Sequence, residues 1–399
     1  MPAPAELFDP AAHEPLDVTS WSEARALSTV DAIVASALDS YRAEQLWPIH
    51  PRDVESEDLA RPCGYTSMYL GAAGVAWALE RLGAASPIGA NELVAAFEEA
   101  PDEKMTHGLL VGDVGVVVAA HRLDPLGGWD DRLERSVRDA ISRPEQELMW
   151  GTAGSVLAAL TVFRETHDQR WRVVAKEAIE DLWSSWKLDD ELSCRIWTQD
   201  LYGSIRRFLG PIHGYAGNAM ALLAAPDLLG EERLEELRHE CAALTTRTAR
   251  ASDELVNWAP LVEVPAGAAL DRVQLCHGAP GMIIGLDRVP AGFDPHLDEL
   301  FLAGGELTWR AGPLCKGSNI CHGTAGNGFA FLKLFSRTGD ELWLERARAF
   351  ATHAIGQRER DLERFGQGHH SLWTGDLGLA FYLRACVNGL SELELLERL

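Results

Sequence analysis

Residues 151–163 read GTAGSVLAALTVF, two glycines three residues apart followed by an apolar run. Glycine tolerates positive φ and lets backbones approach closely, so the pair suits a loop that turns sharply into a buried helix. The run behind it is apolar on nearly every side, as an inner helix with neighbours all round must be. After Glu165-Thr166-His167-Asp168 come Trp171, Val174, Ala175, Ala178, Leu182 and Trp186, spaced three and four apart with charges between them. That spacing predicts an amphipathic outer helix. One unit is therefore an inner helix, a short connection and an outer helix.

The glycine pair recurs at Gly71/Gly74, Gly112/Gly115, Gly214/Gly217, Gly278/Gly281, Gly323/Gly326 and Gly375/Gly378, which with Gly151/Gly154 makes an internal repeat. Every interval between pairs holds two helices and their connections, and none is large enough to need a separate domain. In the sixth copy Gly323 and Gly326 lead into Phe329 to Phe335, then Asp340 and Trp343. Asp168 and Asp340 each stand three residues before a tryptophan, which predicts N-caps of corresponding outer helices. Ser20 and Glu23 form a capping-box pattern ahead of Leu27, Val30, Val34 and Leu38. Strand signals are scarce, and residues 258–274, with Pro260, Val262, Val264 and Pro265, read as a long irregular connection.

The expectation is an all-α chain in one domain: residues 1–63 as an N-terminal segment carrying an outer helix, and residues 64–399 as a seven-repeat α/α toroid. Hairpins that hide one face only by stacking make either an open superhelix or a closed ring. The final copy, GDLGLAFYL at 375–383, is as apolar as the middle ones and is no polar cap, so closure is expected.

With 47% hydrophobic residues and 13 tryptophans, material for the core is ample. The formal net charge of −24 disfavours nucleic acid and anionic membranes, which are bound mainly through Lys and Arg, and leaves room for a basic peptide partner. The start, MPAPAELFDPAAHEP, lacks the basic and apolar regions of a secretion signal, and no apolar run reaches the length of a membrane span. The expected location is the cytoplasm. Seven cysteines, at 63, 194, 241, 276, 315, 321 and 386, lack the even, dense pattern of a disulfide scaffold, so reduced thiols are expected.

Cys276 in QLCHGAPGM and Cys321 in CHGTAGNG each lie two residues before the first glycine of a repeat, and each is followed by histidine. His213, in HGYAGN, shares the register of His277 and His322. In a toroid the loops that enter the inner helices gather at one end, where Cys276, Cys321 and His322 can meet. Two thiolates and an imidazole are familiar zinc ligands, and three ligands leave a fourth position for water or substrate. The competing explanation is buried thiols and hydrogen-bonded packing histidines. Recurrence at equivalent repeat positions favours a shared cavity.

HGYAGN, LCHGAPG, CHGTAGNG and the terminal SLWTGDLGLAFYL resemble the motifs of the lanthionine synthetase C (LanC) family and its eukaryotic LanC-like relatives. The resemblance runs from Gly71 to Leu383 and includes the number of repeats. It implies a toroid of seven inner and seven outer helices, with one zinc per chain on Cys276, Cys321 and His322. The implied chemistry is Michael-type addition of a cysteine thiol to dehydroalanine or dehydrobutyrine, giving a thioether. In LanC cyclases the thiol belongs to the same peptide; the eukaryotic relatives resemble enzymes that add glutathione to dehydroamino acids in damaged proteins. The implied partners are thus a dehydroamino-acid-containing peptide or protein and, in the second case, glutathione.

A free thiol, with a pKa near ~8.5, is mostly protonated at neutral pH, and zinc coordination makes it a thiolate. Attack on the β-carbon then produces an enolate, which needs a donor for its oxygen and a proton for its Cα. His213 matches the family position for that acid/base work, and Arg272 matches a cationic residue that steadies the enolate. His277 falls where cyclases typically carry tyrosine, and Glu147 where they carry an aspartate that orients the histidine. For Arg272 and Glu147 a surface or packing role is the alternative. Lys316 is placed to meet a peptide or glutathione carboxylate at the mouth of the site, its alternative being simple solvation. The short first two intervals leave no room for a small inserted domain found in some cyclases. Together with His277 and Glu147, this points to the compact LanC-like subgroup.

Two other readings have distinct signatures. A toroid glycosidase needs two carboxylates across a sugar and usually six hairpins, whereas this chain has seven repeats and no evident carboxylate pair beside the glycines. A non-catalytic peptide-binding or regulatory protein would keep zinc as a structural tie and lack thiol-addition activity.

Overall fold

The computed structural model describes residues 7–17, 19–54, 61–103, 107–264 and 272–397. Each glycine pair opens an inner helix: Ala72–Leu82, Asp113–Leu123, Thr152–Thr166, Tyr215–Leu223, Ala279–Leu286, Thr324–Thr338 and Asp376–Asn388, with the first glycine as N-cap every time. Between them run outer helices Ala90–Glu99, Asp130–Asp139, Gln169–Ser185, Glu231–Thr248, Pro295–Ala311 and Glu341–Phe365. Consecutive inner helices pack on one another, and the last packs on the first, so the ring is closed. The seventh outer helix comes from the opposite end of the chain: Glu23–Ser40 lies against Asp376–Asn388.

The second glycine of each pair explains the repeat. A Cβ on Gly74, Gly115, Gly154, Gly217, Gly281, Gly326 or Gly378 would stand 1.9–2.5 Å from the carbonyl oxygen of Met68, Leu109, Leu148, Pro211, Leu275, Ile320 or Leu372 respectively. The entry loop thus crosses directly over the first turn of its own helix, in van der Waals contact with bare backbone. The same loop residue also presses on the next repeat: Met68 Cβ lies 2.9 Å from the Cβ position of Gly115, Leu109 Cβ 2.8 Å from that of Gly154, and Leu372 Cβ 3.0 Å from that of Gly74. Close approach is the requirement here, since the first glycines sit in extended backbone except Gly278, with φ +99°.

These loops are stitched by backbone hydrogen bonds around one end of the ring. Tyr69 N–H donates to the Leu110 carbonyl, Leu110 to Met149, Leu148 to Ile212, Cys276 to Cys321, Cys321 to Trp373, and Trp373 back to Tyr69, at 2.7–3.3 Å. Each contributes about 1 kcal/mol net, and together they fix the register of neighbouring repeats.

The predicted caps at Asp168 and Asp340 form, their carboxylates accepting from the N–H of Arg170 and Leu342 at 2.9 and 3.0 Å. The outer helix after Asp168 buries Trp171, Val174, Ala175, Ala178 and Leu182, with Ile179 beside them. The capping box expected at Ser20 is instead a single cap from Ser22, whose hydroxyl accepts from Arg25 N–H. The buried stripe of that helix is Ala26, Thr29, Val30, Ile33 and Ala37, which leaves Leu27 and Leu38 exposed. Small residues on this face let the helix sit close to its inner neighbour. Three antiparallel hairpins were not legible in the sequence: Lys187–Asp189 with Cys194–Ile196, Gln199–Leu201 with Ser204–Arg206, and Ala249–Ser252 with Leu255–Trp258. Strands of three or four residues are too short to show alternation. Of the connection expected over 258–274, residues 265–271 lie outside the described residues.

Where the chain start meets the last repeat, Asp53 Oδ2 pairs with His369 Nε2 at 2.5 Å and accepts from Thr374 Oγ1 at 3.0 Å. His50 stacks on His369 with ring centroids 4.2 Å apart. The Nε2 atoms of His50 and His370 are buried without a hydrogen-bond partner.

A glycine contrast tests the crossing. Gly326→Ala, whose Cβ would meet the Ile320 carbonyl at 1.9 Å, should cost about 3 kcal/mol or more in denaturant unfolding. Gly339→Ala, at φ +70° with open space around it, should cost about 1 kcal/mol. A cost at Gly326 no greater than that at Gly339 would show that the crossing loop yields to a side chain and that crowding is not what Gly326 serves. The seam makes a second prediction. Burial pushes His50 and His370 down to about 4 from 6.5, with the neighbouring His369 adding to the shift. The unfolded chain therefore takes up these protons first, so stability holds above about pH 6.5 and falls towards pH 4, by up to ~1.4 kcal/mol per pH unit for each ring. The double variant His50→Phe, His370→Phe should flatten that limb of a stability-against-pH curve.

Candidate functional site

The residues two before each first glycine are Tyr69, Leu110, Met149, Ile212, Cys276, Cys321 and Trp373; those one before include Trp150, His213, His277 and His322. The backbone stitching places them around the same end of the ring. Cys276 and Cys321, on adjacent loops, bring their thiols into hydrogen-bond contact. Two further donors point at the sulfurs. Tyr69 Oη donates to Cys321 Sγ and Gln274 Nε2 to Cys276 Sγ, each at 2.9 Å. Lys316 Nζ lies 3.5 Å from Gln274 Oε1, so its charge reaches the pair through one side chain. Donation from Cys321, together with Gln274 and the charges of His213 and Lys316, overcomes burial and holds the Cys276 thiol down to about 7. Cys321 retains its proton and is pushed well up.

Local structure explains the presentation of Cys276. Gln274 N–H donates to the His277 carbonyl at 2.9 Å and His277 N–H returns to the Gln274 carbonyl at 3.0 Å, so Leu275 and Cys276 form the tip of a tight turn. Gly278 leaves this turn in the left-handed region, over the Arg272 carbonyl. The buried Asn257 side chain clamps its base, donating to that carbonyl at 3.3 Å and accepting from Ala279 N–H at 2.8 Å.

His213 stands beside the thiols. Its Nδ1 is 3.0 Å from Glu147 Oε2, and Glu147, fully buried, also accepts from Trp150 N–H. A carboxylate on Nδ1 fixes the proton there and leaves Nε2 for chemistry. The Trp150 ring stacks on the imidazole at 5.7 Å, Tyr202 meets its edge at 6.3 Å, and His277 faces it at 6.4 Å. His277 is buried, its Nδ1 has no partner, and burial pushes it down to about 3. The His322 ring, held down to about 4 by burial and the charge of Lys316, has no hydrogen bond among the described residues, while its N–H donates to Asn319 Oδ1 at 3.0 Å. Arg272 and Lys316 are exposed at the rim, and the charge of each is felt by both His277 and His322.

The structure thus brings together Cys276 and Cys321, and separately joins His213 to Glu147. His277, Arg272 and Lys316 lie at the edges of the same space. Tyr69, Gln274, Trp150, Tyr202 and Asn257 are additions. Tyr69 shares the register of the two cysteines and Trp150 that of the histidines, so aligning the repeats would have pointed to both. Gln274 and Tyr202 carry no such signal.

Two mutually contacting thiols, each receiving a neutral donor, with an unpartnered imidazole on the adjacent residue, are a donor set suited in type to a thiophilic dication such as zinc. Among the described residues no three His, Cys, Asp or Glu side chains stand in a metal-holding arrangement, so the structure joins the two thiols without bringing the His322 ring to them as a third donor. No helix among the described residues is long and apolar enough to cross a membrane.

Comparison with known proteins gives a consistent result. The family described as lanthionine synthetase C-like protein matches residues 64–392. Glutathione S-transferase LANCL1 of Danio rerio is 28% identical over 296 residues, 69% of each chain. LanC-like protein GCL1 of Arabidopsis thaliana is 35% identical over 150 residues, 37% of this chain and 32% of that one. Among solved structures, nisin cyclase superposes with a TM-score of 0.59 at 16% identity, covering 90% of this chain and 94% of its own, which establishes the α/α toroid fold.

The donors to sulfur can be tested directly. In metal-free protein, Gln274→Leu should move the midpoint of pH-dependent alkylation of Cys276 about one unit to the alkaline side of its value near 7. An unmoved midpoint would show that Gln274 does not support the thiolate.

Proposed function

The chain belongs to the lanthionine synthetase C-like family, and from that premise we propose that it forms thioethers by adding a cysteine thiol to dehydroalanine or dehydrobutyrine. The acceptor is a peptide or protein containing the dehydroamino acid. The thiol comes from glutathione, as the name of the Danio rerio relative suggests, or from the same peptide, as in a cyclase. The observation that carries this reading is the thiol pair within reach of a carboxylate-oriented imidazole. Cys276, Cys321 and His322 would hold zinc, which when bound would favour the thiolate form of the substrate thiol at neutral pH.

The chain's own residues account for the rest. Addition forms a carbon–sulfur bond at Cβ, shifts the alkene π electrons towards the carbonyl oxygen, and requires one proton at Cα. His213, with Nδ1 committed to Glu147, presents Nε2 to take the thiol proton and return it to Cα. His277, whose ring lies 6.4 Å from that of His213, is placed to donate from its imidazole to the enolate oxygen. Tyr69 and Gln274 steady the ligand sulfurs. Arg272 and Lys316 give a strongly acidic protein a cationic rim, which suits the carboxylates of glutathione or of a peptide. Trp150 and Tyr202 wall the imidazole and keep water from its faces.

Elemental analysis should find one zinc per chain after reconstitution, lost in Cys321→Ala while helical circular dichroism persists. Mass spectrometry of a dehydroalanine peptide incubated with glutathione should show the adduct. His213→Asn should keep zinc but lower turnover about 10²- to 10⁴-fold, with Glu147→Gln falling between that variant and the wild type. Zinc-loaded protein that adds no thiol to either a glutathione or an intramolecular substrate would leave a binding protein with a structural metal. Full turnover in His213→Asn would remove that residue from the chemistry.

A further inference from the structure

The hairpin of Gln199–Leu201 with Ser204–Arg206 carries an aromatic ring to the mouth of the thiol end. Its turn is Tyr202-Gly203, with φ of +55° and +74°. Positive φ at both central positions defines a type I′ turn, which matches the twist of paired strands and prefers Asn-Gly or Asp-Gly. In the other two hairpins the left-handed residues are Ser193 and Asp253, both short and polar. Tyr202 breaks that pattern, since left-handed backbone disfavours a side chain of its size. It is also 76% exposed, so burial does not hold it there. Neither turn chemistry nor the core accounts for a tyrosine at this position.

The base of the hairpin is clamped, which fixes where its tip stands. Leu201 is buried, and Asp200 N–H donates to the Pro144 carbonyl at 2.9 Å. The buried Gln199 side chain accepts from Phe208 N–H at 2.9 Å and donates to the Gln146 carbonyl at 3.4 Å. Just beyond the second strand, Arg207 pairs with Asp189, Glu191 and Glu263. At the tip, the Tyr202 ring lies 6.3 Å from the His213 ring, crossing it at 74°, and 6.4 Å from the Trp150 ring, crossing it at 83°. The ring therefore leans on the two side chains nearest the proposed proton chemistry, and the rest of its surface is open to solvent. Strain of this kind, held in place by a rigid surround, marks positions that serve a ligand rather than the fold.

Distance says what that ligand is. A dehydroamino acid that takes a proton from His213 has its Cα about 3 Å from Nε2. The next Cα along the peptide is about 3.8 Å further, so the neighbouring residue falls within roughly 7 Å of the imidazole. That is the radius at which the Tyr202 ring stands. Resting on the thioether-forming function proposed above, we infer that Tyr202 determines acceptor specificity: its ring packs on an aromatic side chain next to the dehydroamino acid and holds the peptide against His213. Aromatic pairs gain from edge or offset contact beyond the area they bury, and a ring already leaning on Trp150 loses little freedom in making one more. Tyr202 binds and positions the acceptor, while proton transfer stays with His213.

The test compares the N-acetylated tripeptide amides Phe-X-Gly, Gly-X-Phe and Gly-X-Gly on full-length, zinc-reconstituted protein. X is dehydroalanine for turnover with glutathione and alanine for binding by calorimetry. The wild type should favour a phenylalanine peptide over Gly-X-Gly about fivefold, in KM for turnover and in Kd for binding, with kcat alike. Tyr202→Asn should bring that ratio to about one without lowering the denaturant midpoint, because Asn-Gly is the favoured pair for this turn. Tyr202→Phe, which keeps the ring, should keep the ratio. Wild-type protein that binds the alanine peptides with this preference but adds no thiol would leave Tyr202 as a peptide-binding residue and remove the thioether reading. No phenylalanine preference in binding by the wild type, or one that survives in Tyr202→Asn, would overturn the assignment. A lowered midpoint in Tyr202→Asn would overturn it too, by showing that the ring serves the fold.

Discussion

Everything at the chemical end of this molecule depends on the crossing of each entry loop over the first turn of its own inner helix. The carbonyl six residues before the second glycine lies where a Cβ would be, in all seven repeats. Such contact holds the intervening residues to within tenths of an ångström, because neither backbone can yield. The two residues that precede the first glycine are therefore presented in the same register seven times, the copy before Gly278 being re-aimed by its own tight turn. Loop-to-loop hydrogen bonds then turn these copies into a rim, on which side-chain identity alone decides what is chemistry and what is packing. Where the rim carries Leu110 and Met149 it is apolar and inert; where it carries Cys276 and Cys321 two thiols meet.

The glycine pairs made the fold legible because a steric requirement of this kind has no substitute: an alanine would clash wherever it was placed. The Cys-His register was legible for a related reason, since equivalent repeat positions must converge at one end of a ring. What escaped the sequence was set by long-range contact. Ser22 rather than Ser20 caps the first outer helix, because the packing of Ala26 and Ala37 against the last inner helix sets the start of that helix, and either serine satisfies a local pattern. The short hairpins are stabilised by position rather than by alternation. Gln274 aims at sulfur only because a tight reciprocal turn folds it back beside Cys276, and Glu147 reaches His213 across repeats from 66 positions away.

At the thiol end of the ring, charged and neutral groups divide the electrostatic labour. A chain with a net charge of −24 would repel acidic peptides over most of its surface, yet Arg272 and Lys316 stand at the rim of the thiol end. Field lines from such a pair are focused by the low-dielectric walls behind them. Around the sulfurs the donors are instead neutral, a phenol and an amide, which stabilise negative charge without competing as cations for the same site. Exposed positive charge and contact with sulfur thus rest on different residues within one loop cluster, and Lys316 joins the two through Gln274.

The seating of Glu23–Ser40 on Asp376–Asn388 has a consequence for the birth of the protein. Glu23–Ser40, made before every inner helix, must wait for the last of them, and Asp53 for His369. At ribosomal speeds that interval is on the order of tens of seconds, during which Ala26, Val30 and Ile33 have no permanent neighbour. The ring cannot shut on the ribosome until the seventh repeat has emerged. A nascent chain of this architecture is thus an open arc with two adhesive ends, and its closure competes with the closure of one arc upon another.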